Sequence, residues 1–163
     1  MLAIEALKEA TSLRGVPIPA VEESLREVLA AVGGTQIARS EGVITAAGIS
    51  PDMHWMVTCS DDATVRLWDV TAKGPLLNSL VLRGHKEPVR AVAISSDNHW
   101  LVTTSYDKTV RLWDLTAKDP AANPEVLTGH ENGVDAVAIS PNDHWLVTGS
   151  SDRTARLWDP ANA

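Results

Sequence analysis

The sequence predicts a mainly β chain: three repeated units of four antiparallel strands, preceded by a short helical segment. Three observations carry that reading. The string Arg-Leu-Trp-Asp begins at Arg66, at Arg111 and at Arg156, a spacing of 45 residues. The pair His-Trp recurs on the same spacing at His54-Trp55, His99-Trp100 and His144-Trp145. Between the markers, short β-rich apolar runs alternate with turn residues. Two independent markers on one period exclude a chance motif, and a period near 45 is the length of a four-stranded propeller blade. Residues present in every copy are therefore expected to hold the blade together rather than to perform chemistry.

Residues 1–34 read as helix. Ala3, Ala6, Leu7 and Ala10 form a small apolar face, with Glu5, Lys8 and Glu9 off it. After Arg14-Gly15-Val16-Pro17, a clearer helix carries Val21, Leu25, Val28 and Val32 at helical spacing. Pro19 suits its first turn, Glu22 and Glu23 suit the positive end of its dipole, and Gly33-Gly34 ends it. Two readings stay open: a helical hairpin packed on its neighbour, or a partner-binding helix or stub of a larger helical domain.

From residue 35 to residue 163 the period is that of strands. In the middle copy Val89 to Ser95 is the first strand, followed by the turn Ser96-Asp97-Asn98-His99. Trp100 to Ser105 is the second strand, and the tight turn Tyr106-Asp107-Lys108 leads to the third, Thr109 to Leu115. A polar link from Thr116 to Asn123 reaches the fourth, Glu125 to Thr128. The apolar runs are nearly unbroken, as in sheets covered on both faces, and stacked blades supply that cover. The first blade spans about 41–85, the second about 86–130 and the third about 131–163. The third copy stops after its third strand. Gln36 to Ser40 aligns with the fourth strand Val126 to His130, so residues 35–40 are expected to close the third blade.

Composition bounds the function. The 163 residues are 44% hydrophobic and 21% charged, as in a folded domain. A net charge of −7 and a pI near 5.1 argue against nucleic acid or an anionic membrane surface as the main partner. The single cysteine, Cys59, rules out an internal disulfide framework and fits a reducing compartment. The N-terminus lacks the apolar core of a signal peptide, and no run approaches the ~20 apolar residues of a membrane span. The expected location is the cytoplasm.

The chain resembles the WD-repeat β-propeller family over roughly residues 35–163. The residues that carry the resemblance are Gly84-His85 and Gly129-His130, the turn acids Asp62, Asp107 and Asp152, and the Trp-Asp ending each third strand. The leading segment also looks like the stretch that precedes propellers in bacterial signalling proteins. The family implies a hydrogen-bond chain of histidine, strand hydroxyl, turn aspartate and tryptophan. Carried over, these are His85, Thr103, Asp107 and Trp113 in the second copy, and His130, Thr148, Asp152 and Trp158 in the third. A buried polar group costs a few kcal/mol unless bonded, and a closed network satisfies every member. The first copy has Thr58, Asp62 and Trp68, but Arg39-Ser40 where the others have Gly-His, so its network is expected to be incomplete and its blade the softest.

The co-occurrence of Ser, His and Asp invites a hydrolytic triad. Each copy carries the set, and none shows a nucleophile elbow or an added base, so no enzymatic activity is expected. His54, His99 and His144 fan out one blade apart and read as turn residues shielding the following Trp rather than metal ligands. No P-loop, kinase motif or carboxylate cluster with ligand spacing occurs, so no cofactor and no metal are expected.

Family propellers have four to eight blades closed by strand exchange, and three leave apolar faces in water. Two arrangements would satisfy those faces. The chain is a piece of a longer propeller, or a homodimer exchanges end strands and closes a six-bladed ring.

The expected function is a non-enzymatic scaffold whose partners, other proteins or peptides, dock on the rim carrying the Gly-His loops and Asp turns. The rim residues that vary between copies, and so are expected to be free of the structural network, are Thr45, Arg90 and Asp135 near the start of the first strand, and Asp61, Tyr106 and Ser151 before the turn Asp. Tyr106 and Arg90 lead the set, being types enriched at binding hot spots. The alternative is a regulatory or sensor segment of a larger bacterial signalling protein whose NTPase, kinase or protease-like effector lies elsewhere.

Overall fold

A strand needs a partner on each side and a cover on each face, and the repeat supplies both by stacking one meander on the next. The structure, a computed structural model, describes residues 41–71 and 79–159. The expected helical segment at 1–34 and closing strand at 35–40 lie outside the described residues. Eleven strands are described: β1 Ile44–Ile49, β2 Trp55–Ser60, β3 Val65–Asp69, β4 Ser79–Leu82, β5 Val89–Ile94, β6 Trp100–Ser105, β7 Val110–Asp114, β8 Glu125–Leu127, β9 Val134–Ile139, β10 Leu146–Ser150 and β11 Ala155–Trp158. They form three sheets in simple up-and-down order, β1 to β4, β5 to β8 and β9 to β11, with every pair antiparallel. This is the mainly β architecture of a partial propeller.

Turn chemistry sets the registers. In the second blade Ser95 N donates to Trp100 O (2.9 Å) while the Ser95 hydroxyl accepts Trp100 N (2.8 Å), closing the hairpin between β5 and β6. The hairpin between β6 and β7 is held by Asp107, whose Oδ1 accepts Thr109 N (3.0 Å) and Thr109 Oγ1 (2.6 Å). Lys108 sits there at φ 69°, and Ala63 and Arg153 take the same left-handed conformation in the other copies.

Two apolar seams hold the blades together. Between the first and second blades, Val57, Cys59, Val65, Leu67 and Leu82 meet Val89, Leu101 and Trp113. Between the second and third, Val102, Val110, Leu112 and Leu127 meet Val134 and Leu146, with Trp158 against them. Each large apolar side chain removed from water contributes about 1.5–3 kcal/mol, so the seams are the main cohesive term. They also fix how the rim residues of neighbouring blades face one another.

Candidate protein-interaction face

One irregularity recurs in all three sheets and places the rim residues. The first strand of each blade slips by one residue against the second: Ile44 faces Ser60 while Ala46 faces Cys59, Val89 faces Ser105 while Ala91 faces Thr104, and Val134 faces Ser150 while Ala136 faces Gly149. The residue left unpaired at each β-bulge is Thr45, Arg90 or Asp135. A bulged residue owes nothing to the ladder, so its side chain is free to be aimed elsewhere.

All three aim across seams. Thr45 Oγ1 donates to the carbonyl of Val89 in the next blade (2.5 Å). Arg90 Nε lies 4.0 Å from Asp135 Oδ1 of the third blade, and its guanidinium carbon lies 4.8 Å from the centroid of the Tyr106 ring. Ser151 Oγ donates to Asp135 Oδ2 (2.6 Å). Tyr106, Arg90, Asp135 and Ser151 thus form one continuous line over the second and third blades. Tyr106 is 39% exposed and its ring overlies Gly133, where a Cβ would collide with it. Asp61 stays apart and turns back on its own blade, its Oδ1 accepting Val43 N (2.7 Å).

These side chains take their bonds outside the buried network: five of the six are tied by hydrogen bonds or an ion pair, and Tyr106 by its ring contact. The bulge points Thr45, Arg90 and Asp135 at the neighbouring blade, whereas Asp61 and Ser151 bond within their own. The ties on the exposed face are soft. A half-exposed ion pair such as Arg90–Asp135 contributes at most about 1 kcal/mol, so a partner could replace it at small cost.

Beneath this face runs the buried hydrogen-bond chain. Trp113 Nε1 donates to Thr103 Oγ1 (3.0 Å). The Asp107 carboxylate can only accept, so the His85 imidazole N–H sits on Nδ1, facing Oδ2 at 2.9 Å. In the neutral ring Nε2 is then the acceptor and takes the Thr103 hydroxyl hydrogen (3.0 Å). The same carboxylate oxygen accepts Lys86 N (3.0 Å). The third blade repeats it: Trp158 to Thr148 (2.9 Å), Thr148 with His130 (2.9 Å) and His130 with Asp152 (2.7 Å). In the first blade Trp68 Nε1 donates to Thr58 Oγ1 (3.1 Å); its Arg39-Ser40 counterpart lies outside the described residues.

The carboxylates respond to these partners. Burial opposes ionisation of Asp107, but the hydrogen bonds from His85, Thr109 and Lys86 N outweigh it and hold its carboxyl well below the usual range. Asp152 is held low chiefly by Thr154, against some desolvation, with Glu131 N and His130 adding to it. Burial pushes the Cys59 thiol up to about 12, which leaves it protonated and unreactive.

The surface histidines stand over the following tryptophans, with ring centroids 4.7 Å apart for His54–Trp55, 4.6 Å for His99–Trp100 and 5.3 Å for His144–Trp145. His99 Nε2 also lies 3.3 Å from Asp114 Oδ1. Among the described residues, no three His, Cys, Asp or Glu side chains come together as metal ligands.

Sequence reasoning missed one polar device on the opposite side of the seam. Asp143, in the hairpin between β9 and β10, accepts Ser96 N (2.7 Å), Ser96 Oγ (2.5 Å) and Asp97 N (3.0 Å) from the second blade. Its counterpart Asn98 accepts only Asp52 N, at 3.4 Å. The available signal was Pro51, which has no N–H where Ser96 offers one.

The sequence matches the family described as WD domain, G-beta repeat, over residues 34–69, 76–114 and 123–159. Among solved structures, that titled "Structure of U3-55K" is similar at 24% identity with a TM-score of 0.67, which shows a shared fold. The match covers 77% of this chain and 38% of that one. No curated protein matches.

Proposed function

The chain belongs to the WD-repeat family, whose repeats generally mediate protein–protein contact, and from that premise we propose that it is a non-enzymatic scaffold that binds proteins or peptides across the rim of its second and third blades. The observation that carries this reading is the line Tyr106–Arg90–Asp135–Ser151. It sets an exposed aromatic ring and a cation side by side on a rigid, seam-locked base, and these residue types dominate binding hot spots. Arg90 would release Asp135 and take a carboxylate of the partner, while Tyr106 would give up its exposed face to an apolar side chain. The acidic balance of the chain supports neither nucleic acid nor an anionic membrane as the partner. The single thiol and the charge pattern support a cytoplasmic location.

The test is selection of displayed random peptides on the full chain. Ligands that lose binding on Arg90→Glu and on Tyr106→Ala, with thermal unfolding still cooperative and the melting temperature lowered only by the few degrees that the lost rim contacts account for, would support the rim. Ligands indifferent to both substitutions would overturn it.

The chain spans 38% of the length of the structure it matches. A second reading, resting on the look of the leading segment and not on that coverage, is a regulatory or sensor segment of a longer signalling protein of bacterial type, its effector elsewhere. Within the first reading, two copies would supply six blades and close a ring.

A further inference from the structure

The two inner seams give a template for what the end blades require. The upstream half of a seam is built from positions held by Val57 and Leu67 in the first blade and by Val102 and Leu112 in the second. In the third blade these positions are Val147 and Leu157. Leu112 is 1% exposed, whereas Leu157 is 60% exposed, and Val147 is exposed beside it. The downstream half is led by Val89 in the second blade and Val134 in the third, both fully buried. Their counterpart in the first blade, Ile44, is 43% exposed; Ile49 is exposed too, while Met56 and Trp68 of that blade are buried. Among the described residues, one upstream half of the seam is therefore unfilled and one downstream half is partly unfilled.

The polar clamp shows which blade fits which. At the inner seams an acceptor on the downstream hairpin, Asn98 or Asp143, meets donors on the upstream one. At the open ends the acceptor position is Met53 and the Ser96 position is Pro141. Methionine offers only a weak thioether acceptor and Pro141 has no N–H, so two largely apolar groups meet there, and of the clamp's donors only the Asn142 amide, counterpart of Asp52 N and Asp97 N, remains.

We propose that the exposed face of the third blade, Val147 and Leu157 with Pro141 at its edge, seats the first blade of a second copy through Ile44 and Met53. The proposal rests on the two-copy reading above and names its seam. Because the seam is head-to-tail, two copies related by a two-fold axis form it twice and close the ring, leaving neither half open.

The full chain should scatter light as a species of twice the 17.5 kDa chain mass at micromolar concentration. Leu157→Glu and Ile44→Lys should each reduce it to a single chain mass, with thermal unfolding still cooperative because both positions are exposed. Mixing the two variants should restore the double mass, since one seam of the mixed pair is unaltered and the other pairs Glu with Lys. A wild-type chain that is monomeric or polydisperse would overturn both the two-copy reading and this seam. A dimer that persists in both variants, or that mixing fails to rescue, would overturn the seam alone; occupancy by further blades of a longer protein or by another partner would then remain.

Discussion

The guanidinium of Arg90 lies over the ring of Tyr106, 4.8 Å from its centroid, so the two residues best suited to binding are already in contact with each other. A cation–π contact at an exposed site contributes about 0.5–1 kcal/mol. A double-mutant cycle on Arg90→Ala and Tyr106→Ala, read by chemical denaturation, should return a coupling of that size. A coupling indistinguishable from zero would show that the rim residues are independent in solution.

Removing the carboxylate of Asp107 should act in the opposite way. Asp107→Ala leaves the buried His85 N–H and the amides of Lys86 and Thr109 without their acceptor, at a cost on the order of 2–3 kcal/mol. The denaturant midpoint should fall while peptide selectivity at the rim is kept in the folded fraction.

The same carboxylate predicts a pH dependence. Its folded pKa lies below the unfolded value near 3.9, so the unfolded chain takes up the proton first. The stability it contributes is therefore fully present above about pH 5 and is lost as pH falls below about 4 towards the folded pKa. The acid limb of a plot of melting temperature against pH should be shallower in Asp107→Asn than in the wild type. Parallel limbs would remove Asp107 from the account.

Lys108 occupies a left-handed backbone conformation, φ 69°, which costs a side-chain-bearing residue about 1–2 kcal/mol relative to a right-handed one. Glycine escapes that cost and loses part of the gain through its freer unfolded chain. Lys108→Gly should raise stability by roughly 0.5–1 kcal/mol, seen as a higher melting temperature. No gain would mean that the lysine side chain compensates locally.

The two seams should respond unequally to loss of their clamps. Asp143→Ala strands Ser96 N and Asp97 N and should cost about 1–3 kcal/mol, whereas Asn98→Ala removes one 3.4 Å contact and should change stability by less than about 0.5 kcal/mol. Equal effects would contradict the geometry.

The strands were legible because Arg-Leu-Trp-Asp and His-Trp fix the period and because Asp, Asn and Ser mark the hairpins. The buried chain from Trp113 to Asp107 was legible by resemblance. The rim was legible only as a set of positions. A bulge is a property of two strands in register, so nothing within Val89 to Ser95 announces that Arg90 opposes no residue. Bonds across seams, such as Thr45 to the Val89 carbonyl, join residues 44 apart, and no local pattern encodes them. Met53, Ala63, Lys108 and Arg153 hid their left-handed turns because their residue types seldom adopt them.

The unpaired position of each bulge can be rewritten without disturbing the hydrogen bonds on either side of it. Threonine, arginine and aspartate already occupy it in three copies that keep the same bulge. Each blade thus carries one replaceable character on a fixed page. Exchanging the residues at 45, 90 and 135 among themselves offers a route to new binding preferences that leaves the ladder of every sheet as it stands.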